Sequence, residues 1–254
     1  MIDLVSVIMP TYNSSLNLHE SIDSILRQTY TNFELVITDD CSSDSSVQII
    51  NTFIKSDPRV KLFSLKKNKG AGYARNNSIK NSKGNYIAFC DSDDLWDIDK
   101  LEKQVNFMKK NNLKFSCSSY RTIKQNGVFY NNVYVNEYLT KKSMLQSCKV
   151  GCLTAIYDAK KLGKLYMPNI RSRQDYALWI QIFNKINETK CITEPLASYR
   201  LTKSSVSSNK IQGAINHYKV LKKYGKKNFL VNIFFMIFYL LNGIKKNIPK
   251  KFFN

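Results

Sequence analysis

The first 110 residues alternate between two apolar periods, and this alternation restricts the fold more than any other feature of the chain. Short apolar runs typical of buried strands occupy residues 4–9, 33–38, 60–65 and 85–90. Between them, apolar residues recur at helical spacing, as in Leu18, Ile22, Ile25 and Leu26. Strands that alternate with helices in this way form mostly parallel sheets covered on both faces. The sequence therefore predicts an α/β fold with a doubly wound sheet flanked by helices.

Several local details follow from the same patterns. Pro10 is predicted to stop the first strand, because proline has no backbone N–H. The first helix can take its N-cap from Asn13, Ser14 or Ser15. The second helix is predicted from about Asp44, with Val47, Ile50, Phe53 and Ile54 facing inward. The third is predicted over residues 73–81. The fourth is predicted after residue 97, with Leu101, Val105 and Met108 facing inward.

Three polar clusters follow strands of the predicted sheet. They are Thr11 with Tyr12, Asp39 with Asp40, and the acidic run over residues 91–94. In doubly wound sheets, ligands bind outside the carboxyl ends of the strands. The three clusters are therefore expected on one rim, around a single cleft.

The acidic run places Asp91, Asp93 and Asp94 within four positions. If strand alternation continues through it, Asp91 and Asp93 point the same way. Like charges that close raise each other's pKa unless a cation lies between them, and Mg²⁺ or Mn²⁺ suits such oxygen ligands while keeping positions for substrate phosphates. The run predicts a metal and phosphate site. The alternative, that Asp94 or Asp97 caps the helix beginning near Leu101, explains one acid and not the cluster.

The rest of the rim offers a nucleotide site. Tyr12 can stack on a base, and Asp39 or Asp40 can accept the imide N–H of uracil, which favours a uridine nucleotide. The alternative is an ordinary rim tyrosine and an Asp-Asp turn before the helix cap at residues 42–44.

Two further charged residues are candidates for the chemistry. Arg75 follows the turn over residues 70–72 and could contact phosphate or brace the acids; the alternative is a solvated helical arginine. Asp175 opens a predicted helix over residues 175–186 and could be the base for an acceptor hydroxyl, or a plain N-cap.

The second half is less regular. Residues 115–120, 128–135, 153–157 and 195–200 are predicted as extended segments of a mixed sheet, and the small-residue loop over 203–208 as a mobile lid. We predict one domain over residues 1–209, with a nucleotide half (1–112) and an acceptor half (113–209). Residues 210–254 form a separate helical tail.

The charge and the cysteines exclude some classes of protein. The formal net charge is +20, and residues 210–254 contribute ten Lys and no Asp or Glu. Such a charge attracts any polyanion, but no finger, aromatic RNA-binding strand or helix-turn-helix pattern accompanies it, so nucleic acid is not predicted as the partner. The six cysteines include no Cys-x-x-Cys pair, which predicts reduced thiols in a cytosolic protein. The start has no basic region or cleavage site and is predicted to be the first core strand.

The tail contains an apolar segment, residues 229–241, that is shorter than the roughly 20 residues needed to cross a bilayer. Lys222, Lys223, Lys226 and Lys227 precede it, and Lys245, Lys246, Lys250 and Lys251 follow it. A basic-flanked apolar helix of this kind predicts peripheral attachment to an anionic membrane. The alternatives are a helix docked on the domain and a homodimer contact.

Taken together, several motifs resemble those of the family 2 glycosyltransferases of the GT-A fold, over roughly residues 4–210. The motifs lie at residues 6–13, 33–40, 74–76, 84–87, 91–94 and 174–179, and at Tyr199-Arg200 followed by Ser205 and Ser207. The resemblance implies an inverting transfer of a sugar from a nucleotide diphosphate donor, usually UDP-linked, with Mn²⁺ or Mg²⁺.

The resemblance also implies residue roles. They are Thr11 and Tyr12 beside the base, Asp40 as the uracil acceptor, Asp91 and Ser92 at the ribose and the metal, Asp93 as the direct metal ligand, Asp175 as the general base, and Arg200 with the serine loop over the diphosphate. Where many relatives have a histidine two positions after the Tyr-Arg pair, this chain has Thr202.

For the acceptor, we expect a lipid-linked saccharide at the cytoplasmic face of a bacterial membrane, as in O-antigen or capsule synthesis. The alternatives are transfer to polyprenyl phosphate and a non-enzymatic basic adaptor for membrane or nucleic acid. The donor sugar, the acceptor and the linkage are not specified by these motifs.

Overall fold

The computed structural model describes residues 3–148, 150–170, 172–201, 210–225 and 228–245. The predicted lid loop over residues 203–208 and Thr202 lie outside the described residues. So do Lys226, Lys227, Lys246, Lys250 and Lys251.

The chain forms twelve strands and nine α-helices within the described residues. The strands are β1 (Val5–Thr11), β2 (Phe33–Asp39), β3 (Val60–Ser64), β4 (Tyr86–Phe89), β5 (Leu95–Trp96), β6 (Phe115–Ser116), β7 (Ser118–Ile123), β8 (Phe129–Val133), β9 (Tyr138–Thr140), β10 (Ile156–Asp158), β11 (Glu188–Lys190) and β12 (Ile192–Arg200). The helices are α1 (Ser15–Leu26), α2 (Ser46–Ser56), α3 (Ala71–Asn81), α4 (Lys100–Lys110), α5 (Lys141–Gln146), α6 (Ala159–Leu162), α7 (Gln174–Ile186), α8 (Lys210–Tyr224) and α9 (Phe229–Lys245).

A six-stranded sheet forms the centre of the fold, in the order β3-β2-β1-β4-β10-β6. The first four of these strands are parallel, and β10 runs antiparallel to both of its neighbours. Polar loops after β1, β2 and β4 therefore meet at one edge of the sheet. The predicted mostly parallel α/β sheet is confirmed.

Helices cover both faces of this sheet, because successive strand residues point to opposite sides. Val5, Val7 and Met9 of β1 pack with α1, α2 and α4, whereas Ile8 packs with α3 and α7. On α1, the side chains of Leu18, Ile22 and Ile25 are fully buried, as its helical spacing predicts. Burying each of them stabilises the fold by about 1.5–3 kcal/mol.

Pro10 does not end β1, so that prediction was wrong. The residue pairs in register with Thr38 of β2, while the pairing of β1 with β4 stops at Ile8. The carbonyl of Thr11 accepts the Asp40 N–H on the β2 side. By alternation, the nitrogen of Pro10 faces the other side, where β4 has left the ladder and needs no donor.

Two helix predictions also need correction. Ile54 is exposed, because the buried side of α2 passes through Ser46 and Ile50. Ser14 occupies the N-cap position of α1 without a side-chain cap bond. The Asp44 carboxylate accepts the Ser15 N–H instead, at 3.0 Å.

The second half forms a smaller mixed sheet, in the order β5-β12-β7-β8. β12 is parallel to β7 and antiparallel to β5, as a mixed sheet requires. The strand predicted over residues 153–157 was wrong in part. Residues Cys152–Thr154 form a 3₁₀ turn, tightened by the Thr154 hydroxyl, which donates to the Gly151 carbonyl at 2.8 Å.

The helices α8 and α9 pack against the domain rather than standing apart from it. Phe235 of α9 is buried with Leu221 of α8 and Leu145 of α5 in the core that also contains α7. On the other side of α9, Leu230, Phe234 and Ile237 are exposed. A helix docked on the domain, one of the alternatives for the tail, thus describes one face of α9. Among the described helices, none combines the length and the apolar character needed to cross a membrane.

Candidate active site

The acidic residues 91–94 form a turn, which we call the acid turn. The strand β4 ends at Phe89, and the Asp94 N–H donates to the Asp91 carbonyl at 3.1 Å. Strand alternation therefore does not apply here, and that argument for the orientation of Asp91 and Asp93 was wrong. The two carboxyls still act on each other, because the charge of Asp91 raises the pKa of Asp93.

Arg200, at the end of β12, holds the acid turn through hydrogen bonds. Its backbone N–H donates to Asp94 Oδ1 at 3.0 Å, and its Nε donates to the Asp93 carbonyl at 3.0 Å. The two terminal nitrogens donate to the Gln125 carbonyl at 2.9 Å and to Glu20 Oε2 at 2.8 Å. Since Arg200 is almost fully buried and every guanidinium nitrogen donates to protein, it supports the turn in this structure.

The helix-cap explanation of the acids was wrong. The helix α4 begins at Lys100, and Asp99 occupies its N-cap position without a side-chain cap bond. Asp94 is instead buried against Arg200, and Asp97 forms an ion pair with Arg121. Neither acid proposed as a cap is therefore used as one.

Arg75 lies between the acid turn and the start of α7. It is buried in α3, so the interpretation as a solvated arginine was wrong. Its Nη2 forms an ion pair with Asp91 Oδ1 at 2.6 Å, and its Nε is buried without a partner in the described structure. Burial alone would lower the pKa of Arg75, but Asp91, Cys152 and Asp175 raise it above its ordinary value. The side chain is a fixed cation that faces both carboxylates.

Arg75 and Arg200 compensate the remaining carboxyls of the acid turn only in part. Burial, and then the charge of Asp91, raises the pKa of Asp93 to about 6. Burial, Asp93 and Asp91 raise the pKa of Asp94 well above its usual range. In the metal-free protein, full ionisation of the turn is therefore unfavourable, and a bound cation would relieve that cost.

The acid turn supplies oxygen ligands that fit a metal ion shared with a substrate. In the part of the chain that the structure describes, no group of three or more His, Cys, Asp and Glu side chains could hold a metal. Asp91 and Asp93 supply two carboxylates, and Mg²⁺ commonly binds through one or two carboxylates plus substrate phosphates. These two residues therefore fit an ion whose other ligands come with a diphosphate.

The ends of β1 and β2 place the predicted nucleotide residues beside the acid turn. Ser92 of that turn donates to the Ser14 hydroxyl at 2.8 Å, which ties the turn to the loop after β1. In that loop, Tyr12 is 51% exposed and available for stacking. Thr11 is buried, and its hydroxyl has no partner in the described structure. An orphaned hydroxyl at a rim is a polar group that a ligand can satisfy.

The two aspartates after β2 have different partners. Both oxygens of Asp39 accept bonds from Ser42, in the turn that the alternative interpretation expected. The Asp40 carboxylate accepts the N–H groups of Lys69 and Gly70, each at 2.7 Å. Asp40 thereby fixes the loop that leads into α3 and Arg75, and each of its oxygens keeps a second lone pair.

Asp175 lies in the first turn of α7, beside Arg75. The N-cap position belongs to Arg173, so Asp175 as a plain N-cap was wrong. Burial raises the pKa of Asp175, while the charge of Arg75 opposes the rise. A carboxylate with a raised pKa near a fixed cation has the properties of a general base.

Sequence patterns did not indicate three residues of this site. Ser14 and Glu20 of the α1 region hold Ser92 and Arg200, and Cys152 lies beside Arg75. A serine after a strand, a glutamate on a helix and a lone cysteine are common, and their partners are distant in the sequence. No local pattern could have identified them.

Comparisons with known proteins identify the family and the fold of this chain. The family model described as "Glycosyl transferase family 2" matches residues 6–160. The β-1,3-glucosyltransferase WfgD of Escherichia coli, named for UDP-Glc and α-D-GlcNAc-diphosphoundecaprenol, is 39% identical over 96% of this chain and 95% of its own length. TuaG of Bacillus subtilis, whose name assigns it provisionally to teichuronic acid biosynthesis as a glycosyltransferase, is 37% identical over 96% and 98%. The crystal structure of S. aureus TarS 1-349 with UDP-GlcNAc has a TM-score of 0.72 at 20% identity, over 97% of this chain and 76% of that one, and so shows a shared fold.

Proposed function

The chain belongs to glycosyl transferase family 2 and is a glycosyltransferase, and we propose that it transfers a sugar, with inversion, from a UDP-sugar to a hydroxyl of a lipid-linked saccharide. The proposal depends on one observation. Arg75 forms an ion pair with Asp91 of the acid turn, and its charge also opposes the rise in the pKa of Asp175. The same guanidinium therefore links the proposed donor site to the proposed base.

The donor half of the proposal uses the rim residues. Tyr12 stacks on the uracil, Asp40 accepts its imide N–H, and the orphaned Thr11 hydroxyl bonds the nucleoside. Asp91 and Ser92 lie at the ribose, and Asp93, together with Asp91, holds Mn²⁺ or Mg²⁺. When bound, the ion supplies positive charge that stabilises the departing diphosphate.

The acceptor half of the proposal uses Asp175. Its carboxylate takes the proton from the acceptor hydroxyl while the oxygen attacks the anomeric carbon on the face opposite the leaving UDP. The charge of Arg75 opposes the rise in the pKa of Asp175 and so favours its ionised form, and Arg75 also orients Asp91. Arg200, predicted from the family motif to close over the diphosphate, supports the acid turn here; we propose that it acts on the donor through Asp93.

The acceptor class is supported by the relatives. WfgD is named for transfer to a sugar already carried on diphosphoundecaprenol, which favours a lipid-linked saccharide over polyprenyl phosphate itself. The membership of a glycosyltransferase family and the convergence of acids and base do not favour the adaptor alternative. We propose synthesis of a bacterial surface polysaccharide as the setting, on the cytoplasmic face of the membrane.

We also propose that α9 attaches the protein to that membrane. Its outer face presents Leu230, Ile233, Phe234 and Ile237, and Lys222 and Lys223 are exposed at the end of α8. Apolar side chains on one side of a helix, next to lysines, suit the interface of an anionic bilayer. The division of the chain at residue 209 and a homodimer through α9 stay predictions.

Asp175→Asn tests the central proposal. The variant should keep its affinity for UDP with Mn²⁺, while sugar transfer falls by about 10²- to 10⁴-fold, the usual contribution of a general base. Titration calorimetry gives the affinity, and transfer from a radiolabelled UDP-sugar gives the turnover. Glu188→Gln, at an exposed position of β11, is the matched control and should behave as wild type. Normal turnover in Asp175→Asn would remove Asp175 as the base.

A further inference from the structure

The C-terminal helices contact the start of α7 through a group of side chains around Arg173, which we call the Arg173 clamp: Arg173, Tyr176, His217 and Tyr239. The His217 ring of α8 lies between the rings of Tyr176 and Tyr239, with centroid distances of 4.8 and 4.1 Å and interplanar angles of 7° and 16°. Arg173 Nη2 donates to the Tyr239 hydroxyl at 2.6 Å, and Arg173 Nη1 lies 3.5 Å from His217 Nδ1. One arginine thus connects α7, α8 and α9.

The His217 ring in the Arg173 clamp stays in one protonation state near neutral pH. Burial, and then the charge of Arg173, lowers the pKa of His217 to about 3. The ring is therefore neutral at physiological pH, and its Nδ1 can accept from Arg173 instead of repelling it. Asn216 of α8 adds a second tie, because its Nδ2 donates to the Ser172 hydroxyl at 2.6 Å.

The backbone of Arg173 explains why such a clamp is needed. Its φ of 60° and ψ of 30° lie in the left-handed region, which residues with a Cβ seldom adopt. This conformation turns the chain into α7, where the Arg173 carbonyl accepts the Ala177 N–H at 3.0 Å. No side chain caps this end of α7. The direction of the first turn, which carries Asp175, therefore depends on what holds Arg173.

We propose that Arg173 is a positioning residue for Asp175 and that Tyr239 and His217 hold it in place. The C-terminal helices would then contribute to the chemistry as well as to attachment. This inference rests on the proposed role of Asp175 as the base.

Tyr239→Phe is the most direct test, because it removes the acceptor hydroxyl for Arg173 and keeps the ring that stacks on His217. A base displaced by a fraction of an ångström to an ångström slows the reaction without altering the donor site, and such displacement can cost up to about 10²-fold. We expect kcat for transfer to fall about tenfold or more, with the KM for the UDP-sugar and the melting temperature unchanged. Arg173→Lys, which loses the two-pronged donor, should reproduce the effect.

The matched control is Tyr224→Phe, which removes a tyrosine hydroxyl from the far end of α8. Tyr224 lies near Asn184, whose side chain donates to its carbonyl at 3.0 Å, toward the end of α7 away from Asp175. This control should keep the wild-type kcat. The same Tyr239→Phe change in an Asp175→Asn background, followed over long incubations with radiolabelled donor, should cause no further loss, since the misplaced group is already absent.

The outcomes separate this inference from the proposed function. If Asp175→Asn is fully active, the base assignment fails. If Asp175→Asn is inactive while Tyr239→Phe keeps the wild-type kcat, only the positioning role fails. A Tyr239→Phe loss that comes with a raised KM or a lowered melting temperature, or that is equally large in the Asp175→Asn background, would also overturn it.

Discussion

Replacing Asp93 by Asn is expected to stabilise the metal-free protein at neutral pH while it abolishes metal-dependent transfer. In the folded chain, burial and the charge of Asp91 raise the pKa of this carboxyl from 3.8 to about 6. A group whose pKa is higher in the folded state contributes stability below its unfolded pKa, and this contribution is lost as the pH rises through about 6. At about 1.4 kcal/mol per pKa unit, ionised Asp93 costs the folded protein about 3 kcal/mol at pH 7.5.

The assay is denaturant unfolding followed by tryptophan fluorescence, in EDTA, at pH 4.5, 6 and 7.5. Asp93→Asn should exceed wild type by about 2–3 kcal/mol at pH 7.5 and by only about 1 kcal/mol at pH 4.5, where the carboxyl is protonated in the folded state but mostly ionised in the unfolded chain. Asp23→Asn, which removes one exposed i,i+4 pair with Arg27, is the matched control and should change stability by less than about 1 kcal/mol at every pH. Saturating Mn²⁺ with UDP should reverse the order, because both bind wild type in its folded state. An Asp93→Asn protein no more stable than wild type at pH 7.5, or equally favoured at pH 4.5, would refute the reasoning.

Two more predictions concern the support of the acid turn and the outer face of α9. Arg200→Met leaves the carbonyls of Asp93 and Gln125 without their hydrogen-bond donors. The free energy of unfolding should therefore fall by about 2–5 kcal/mol and the melting temperature by roughly 5–15 °C. The control Glu20→Gln changes a largely exposed partner of Arg200 and should cost less than about 1 kcal/mol. Equal melting temperatures for the two variants would contradict this account. Phe234→Glu and Ile237→Glu should each reduce sedimentation with phosphatidylglycerol vesicles by several-fold. The control Ile54→Glu, at an exposed apolar residue of α2, should not reduce it. Unchanged sedimentation of the α9 variants, or sedimentation that does not depend on anionic lipid, would reject the proposal that α9 contacts the membrane.

Much of the nucleotide half could be predicted from the sequence, because its information is local. The periods of two and 3.6 identified the strands and helices of the large sheet, and the rule for ligands at the carboxyl ends of strands brought Thr11, Asp40 and Asp91 to one rim. The errors arose where a contact distant in sequence decided the outcome. Asp44 caps α1 from another element, and Pro10 continues its strand only because β4 ends early.

The supports of the site could not be predicted, for the same reason. Asp94 and Arg200 are separated by 106 positions, and no pattern along the chain indicates that one donates to the other. Likewise, residues 229–241 read as a uniformly apolar helix, and only packing shows that Phe235 is buried while Phe234 is exposed. Residue types indicated the chemistry of the site, and the tertiary contacts that orient those residues had to be observed.

The dependence of the acid turn on Arg200 has a consequence for biosynthesis. Every carboxylate of the acid turn has been synthesised once residue 94 is translated, yet the arginine that holds the turn follows 106 positions after Asp94. Until then, the nascent chain has the residues of the acid turn without the contacts that hold them. A chain that ends before β12 would have the acid turn without its support, and we expect it to be inactive.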